Sequence, residues 1–120
     1  SKEEYRIFND YFTQTLLDND IELDGVFQCY HLPDDKCKCR KPKTGMVDAY
    51  LNENNIDLNN SFTIGDKSCD ILFGKNLKTS TIQIDPNLEC SYICKSKGNY
   101  IVKDLLIASD IIEKYENKRS

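Results

Sequence analysis

Three thiols and the only histidine of the chain fall within the eleven residues Cys29-Tyr30-His31-Leu32-Pro33-Asp34-Asp35-Lys36-Cys37-Lys38-Cys39. The pairs C-x-H and C-x-C stand five residues apart, so one short loop folding back brings all four side chains to one point. Cys29, His31, Cys37 and Cys39 have the number and softness that tetrahedral Zn²⁺ prefers in a closed site. Four protein ligands leave no position for water, which makes such a metal structural, its task being to fix the loop. The alternative is a polar turn with free or oxidised cysteines, which leaves His31 without a role. Cys69, Cys90 and Cys94 lie outside the cluster and read as incidental thiols. A metal-type cysteine pattern points to a reducing compartment, so a cytoplasmic location is expected.

The rest of the composition excludes more than it specifies. With 39% hydrophobic and 30% charged residues in 120, the chain carries enough apolar side chains for one modest core. A net charge of -4, with the basic residues spread out, argues against a nucleic-acid partner. No apolar run approaches the roughly 20 residues that span a bilayer, so no membrane association is expected.

Tyr5, Phe8, Phe12 and Leu16 recur at steps of three and four and predict an amphipathic helix over 2–18. Val26 to Cys29 reads as a short strand entering the cysteine loop. Met46, Val47, Tyr50 and Leu51 predict a helix over 44–55, with Thr44 as its N-cap. Ser61 to Ile64 reads as a strand, 68–77 as a helix, and 79–84 as a strand stopped by Asp85-Pro86. The polar stretch 87–99 reads as a loop. Tyr100 to Val102 reads as a last strand, followed by a helix that uses Leu105, Leu106, Ile111 and Ile112. Alternating strands and helices make the class α/β with a mainly parallel sheet.

Two further motifs carry chemistry. Arg40-Lys41-Pro42-Lys43 follows the last thiol directly, and a guanidinium beside an ammonium suits a phosphate dianion, although such runs are more often solvated surface. Ile64-Gly65-Asp66-Lys67-Ser68-Cys69-Asp70 sets a carboxylate just past a strand's carboxyl end, where open α/β sheets gather ligands. Asp66 there suits Mg²⁺, which keeps several waters and shares a substrate phosphate. A helix-capping role is the alternative for Asp66, and Asp70, one turn on, is placed to orient Asp66, a bound water or Lys67.

The order C-x-H-x-P-x-x-x-C-x-C-R-K-P-K-x-G-M, an amphipathic helix, then I-G-D-K-x-x-D resembles the zinc-loop phosphatases of the haloacid dehalogenase superfamily. Two branches are similar: the D-glycero-D-manno-heptose 1,7-bisphosphate phosphatases and the histidinol-phosphate phosphatase domains. The resemblance implies a Rossmann-like three-layer fold over 1–120, with Cys29, His31, Cys37 and Cys39 as zinc ligands. It implies Arg40 and Lys67 as substrate contacts, Lys41 as the residue that stabilises the transferring phosphoryl group, Asp66 as the Mg²⁺ ligand and Asp70 as the second acid of the Gly-Asp motif. Tyr30 departs from the proline usual between the Cys and the His.

In that superfamily an Asp-x-Asp motif on the first strand supplies the nucleophile and the general acid-base. Asp18 and Asp20 have the spacing but follow a helix and lead into Ile21-Glu22, so they do not qualify. By the resemblance the sequence starts after the first two strands. It is then one partial domain, inactive alone, whose sheet is completed by the rest of the same protein or by another chain. The complete protein is expected to be a Mg²⁺-dependent phosphomonoester hydrolase acting on a small phosphorylated sugar or polyol, of the heptose type first and the histidinol-phosphate type second. The competing class is a non-catalytic zinc-bearing segment that binds a phosphorylated ligand or a partner.

Overall fold

The computed structural model describes residues 2–29, 36–96 and 98–119. In chain order the elements are α1 (Lys2–Asp18), α2 (Gly45–Glu53), a 3-10 turn (Leu58–Asn60), β1 (Phe62–Gly65), α3 (Ser68–Leu77), β2 (Ser80–Ile84), β3 (Tyr92–Ser96), β4 (Asn99–Val102) and α4 (Leu105–Arg119). The strands form one sheet in the order β1-β2-β4-β3. β1, β2 and β4 run parallel, with Ile64 opposite Ile82 and Ile82 opposite Tyr100, and β3 joins β4 antiparallel at the margin.

Strand residues paired side by side share a face of the sheet, and alternate residues take opposite faces. Thr63 and Thr81 are paired and face α3. A Cβ on Gly74 of that helix would stand 2.7 Å from Thr63 Cβ and 2.8 Å from Thr81 Cγ2, so glycine sets how closely α3 approaches. The opposite face carries Phe62, Ile82, Ile84, Tyr100 and Val102, against which α4 packs Ile107, Ala108, Ile111 and Ile112. Helices therefore cover both faces, and the expected three-layer α/β arrangement is present.

Among the described residues the fully buried apolar ones are Ile82, Val102 and Ala108. Burying a side chain such as Ile82 or Val102 contributes about 1.5–3 kcal/mol. Phe62 meets Tyr115 of α4 edge to face at 5.3 Å, and the Tyr115 hydroxyl bonds the Asn60 side chain, tying α4 to the start of β1. Lys78 ends α3 in a left-handed conformation at φ 65°, with Thr79 N–H donating to Gly74 O at 3.0 Å.

Four sequence expectations need correction. Residues 26–29 form no strand, because among the described residues no strand runs beside them to complete a ladder. The stretch 87–99 is not all loop: it contains β3, whose residues are all exposed, so no burial pattern marks it and pairing with β4 alone defines it. Thr44 precedes α2 without a capping bond from its side chain. Leu105 and Leu106 are 61% and 72% exposed, and α4 turns Ile107 and Ala108 inward instead. The α1 stripe does form a helix, yet none of its residues is buried.

Candidate active site at the carboxyl end of β1

β1 ends at Gly65 and α3 begins at Ser68, so Asp66 and Lys67 occupy the short turn at the strand's carboxyl end. Asp70, in the first turn of α3, is 9% exposed. Its Oδ2 accepts the backbone N–H of Lys67 at 3.2 Å, and its Oδ1 accepts Lys41 Nζ at 2.6 Å across 29 residues of sequence. A Cβ on Gly65 would overlap the Asp70 side chain, so the glycine before Asp66 makes room for this carboxylate. Burial pushes the Asp70 carboxyl up, but the bond from Lys41, the Lys67 N–H and the Lys41 charge outweigh it and hold the carboxyl below its usual range.

The basic run reaches this turn because its loop is fastened at several points. Lys43 N–H donates to Arg40 O at 2.9 Å, Lys43 Nζ to Cys37 O at 2.9 Å, and Asn76 Nδ2 of α3 to Pro42 O at 2.8 Å. Gly45 N–H donates to Lys38 O at 2.8 Å, and a Cβ on Gly45 would overlap that carbonyl. The loop is thereby seated on the amino end of α2.

Arg40, Lys41, Asp66, Lys67 and Asp70 all line one cavity of about 440 Å³. The structure thus brings together the two motifs that the sequence offered separately. Asp66 is not the helix cap: Lys67 occupies that position, and Asp70 accepts its N–H. The charged side chains are not the whole lining, because Phe27, Met46, Tyr5 and Cys69 also contribute. Sequence reasoning missed these, and for Phe27 the available signal was its place two residues before the first thiol.

Cys29, Cys37 and Cys39 form one cluster, their sulfurs all within 4.8 Å of one another. Cys39 Sγ lies 2.9 Å and Cys37 Sγ 3.5 Å from Cys29 Sγ. Zn–S bonds of about 2.3 Å set tetrahedral sulfurs roughly 3.8 Å apart, so the thiols are gathered to within about 1 Å of a coordination shell. Burial pushes the Cys37 thiol up, but hydrogen bonds from Cys29, Cys39 and nearby backbone N–H groups bring it down to about 6. Cys39, hydrogen-bonded to Cys29 and partly desolvated, is pushed up to about 12. The cluster therefore accommodates a thiolate, the form that ligates metal. His31 lies outside the described residues. Cys90 and Cys94 are exposed, and their sulfurs contact the backbone oxygens of Tyr92 and Ser96.

The HAD-hydrolase-like family model matches residues 38–108, from the cysteine loop to the start of α4. The chain is 32% identical over 112 residues to a D-glycero-beta-D-manno-heptose-1,7-bisphosphate 7-phosphatase of Pasteurella multocida, covering 88% of this chain and 61% of the relative. It is 38% identical over 77 residues to the Helicobacter pylori protein of that name, covering 63% and 44%. It is also 46% identical over 57 residues to the histidine biosynthesis bifunctional protein HisB of Blochmanniella floridana, covering 48% of this chain and 16% of that protein. The chain thus spans less than two thirds of the length of these relatives. With the Gly-Asp turn, the basic loop and the sheet all inside the matched region, this chain belongs to the HAD-hydrolase-like family.

Proposed function

We propose that this chain forms the phosphate- and metal-binding part of a Mg²⁺-dependent phosphomonoester hydrolase. Its substrate is a small phosphorylated sugar, most like that of the heptose 1,7-bisphosphate 7-phosphatases. The observation that carries the reading is the 2.6 Å contact of Lys41 Nζ with Asp70 Oδ1, which fixes an ammonium over the carboxyl end of β1. An ammonium has three donors, so two remain for phosphoryl oxygens while Asp70 holds the third. Arg40 adds a planar fork suited to phosphate, and Lys67 a second ammonium on the same cavity.

Asp66 offers the hard oxygen that Mg²⁺ prefers, with Asp70 close behind it. Mg²⁺, when bound, neutralises charge on the transferred phosphoryl group. Cys29, Cys37 and Cys39, with His31, would hold a structural Zn²⁺ that stiffens the loop carrying Arg40 and Lys41. The nucleophilic carboxylate is assigned to a strand that completes the sheet beside β1, from the same protein or from another chain. Among the described strands β1 lies at the sheet margin, which leaves a backbone edge for such a strand. A cytoplasmic location accords with the thiol cluster, and among the described residues no helix is long and apolar enough to cross a membrane.

The second substrate reading, histidinol phosphate, is favoured by the 46% identity to HisB over 57 residues. The test is phosphate release from heptose 1,7-bisphosphate and from histidinol phosphate by the natural protein that carries this chain, with Mg²⁺ present. Release from one names the substrate, and Lys41→Met should lower it at least about a hundredfold, as loss of a charge-stabilising group does. Release from neither overturns hydrolysis and favours a zinc-bearing, ligand-binding segment.

A further inference from the structure

The cavity beside Lys41 is lined by side chains of two kinds. Arg40, Lys41, Asp66, Lys67 and Asp70 are charged, whereas Phe27, Met46 and Tyr5 are apolar or aromatic. A phosphate group alone needs only the first kind. Apolar lining in a phosphate site has a use when the rest of the substrate presents an apolar or π surface.

Phe27 is held in place as a platform would be. Its ring meets Tyr50 of α2 edge to face, with centroids 5.2 Å apart and an interplanar angle of 66°. On another side the backbone of Gly25 lies so close that a Cβ there would stand 2.8 Å from Phe27 Cε2 and 2.9 Å from Cζ. Even so, Phe27 remains 39% exposed and lines the cavity. An aromatic ring braced by its neighbours and still open on one side loses little freedom when a ligand stacks on it.

We propose that Phe27 is a specificity-determining residue: its ring, seated by Gly25 and Tyr50, receives the ring of a cyclic phosphomonoester whose phosphate lies at Arg40 and Lys41. The shared chemistry is a ring that offers either a π face, as imidazole does, or a C–H face, as a pyranose does. Acyclic phosphomonoesters lack that surface and engage only the charged side chains. The inference rests on the phosphate site proposed above and adds to it the class of the group that the phosphate is attached to.

The test measures binding to the natural protein that carries this chain by calorimetry without added Mg²⁺, so that ligands are bound and not turned over, using inorganic phosphate, glycerol 3-phosphate, histidinol phosphate and mannose 6-phosphate. The cyclic monoesters should bind about 3- to 10-fold more tightly than glycerol 3-phosphate, the range expected of an aromatic contact. Phe27→Leu, which keeps the apolar bulk, should erase that preference while leaving inorganic phosphate unchanged, and Phe27→Tyr should retain it. Preference for histidinol phosphate identifies a π-face ligand, and preference for mannose 6-phosphate a C–H face. Equal binding of cyclic and acyclic monoesters to the wild type overturns the inference while the phosphate site stands. So does a loss in Phe27→Leu that extends equally to inorganic phosphate. If inorganic phosphate and all the monoesters fail to bind, the phosphate site and the platform fall together.

Discussion

Gly65 and Asp70 compete for the same space: a single methyl on Gly65 would overlap the Asp70 side chain whose Oδ1 holds Lys41. The strand end, the helix start and the basic loop therefore meet at a point that tolerates no Cβ.

Gly65→Ala should move the Asp70 carboxylate and weaken its contact with Lys41. Overpacking of this kind costs about 1–3 kcal/mol. Urea denaturation should report that loss, and inorganic phosphate should bind the variant more weakly. An unchanged urea midpoint together with unchanged phosphate affinity would show that the site has slack the geometry does not suggest.

Gly74→Ala separates stability from the site. The added methyl meets Thr63 Cβ and Thr81 Cγ2 under α3, away from the cavity. The expected cost is again about 1–3 kcal/mol. Phosphate affinity, measured where the variant is still folded, should stay near wild type, and a parallel fall in both would tie α3 packing to the site.

The Asp70 carboxyl is held below its ordinary value in the folded chain. A depressed folded value means that its stabilisation is present above the unfolded pKa, about 3.9 for Asp, and is lost as pH falls through the folded value. The stability difference between wild type and Asp70→Asn should therefore be level from neutral pH down to about pH 5 and close below about pH 4. Urea melts across that range measure it, and a difference that widens on acidification would contradict the assignment.

A reduced preparation should carry about one zinc per chain, as expected of a closed site. Stripping it with a chelator, or replacing Cys37 by Ala, should lower the melting temperature by about 5–10 °C, because metal binding contributes to folding. Metal analysis far below that stoichiometry would count against the zinc loop.

Helical periodicity made α1 legible to the residue, the expected bounds of α3 also match, and β-branched runs bounded by turn residues located β1 and β2 closely. The charged lining of the cavity was legible too, since Arg40, Lys41, Asp66, Lys67 and Asp70 stand in two short motifs. What the motifs left open was partnership. Asp70 was placed to orient Asp66, a water or Lys67, and the structure pairs it with Lys41 and the Lys67 backbone.

The sequence by itself determined the charged and thiol-cluster side chains, because thiols, guanidinium, ammonium and carboxylate carry their chemistry wherever the chain puts them, but not the apolar ones that join them in the cavity. It also determined the local elements whose hydrogen bonds close within a few residues. Tertiary structure alone decided that β3 is a strand and that 26–29 is not, since a strand exists only where another backbone lies alongside it. It likewise turned Ile107 and Ala108 inward in place of Leu105 and Leu106, as the sheet selects which part of an apolar helix surface it covers. The Lys41–Asp70 contact, the Gly65 clearance and the Phe27 platform belong to the same category. Each is a distance between residues remote in sequence or angled by packing, and only the packed sheet brings such groups within reach.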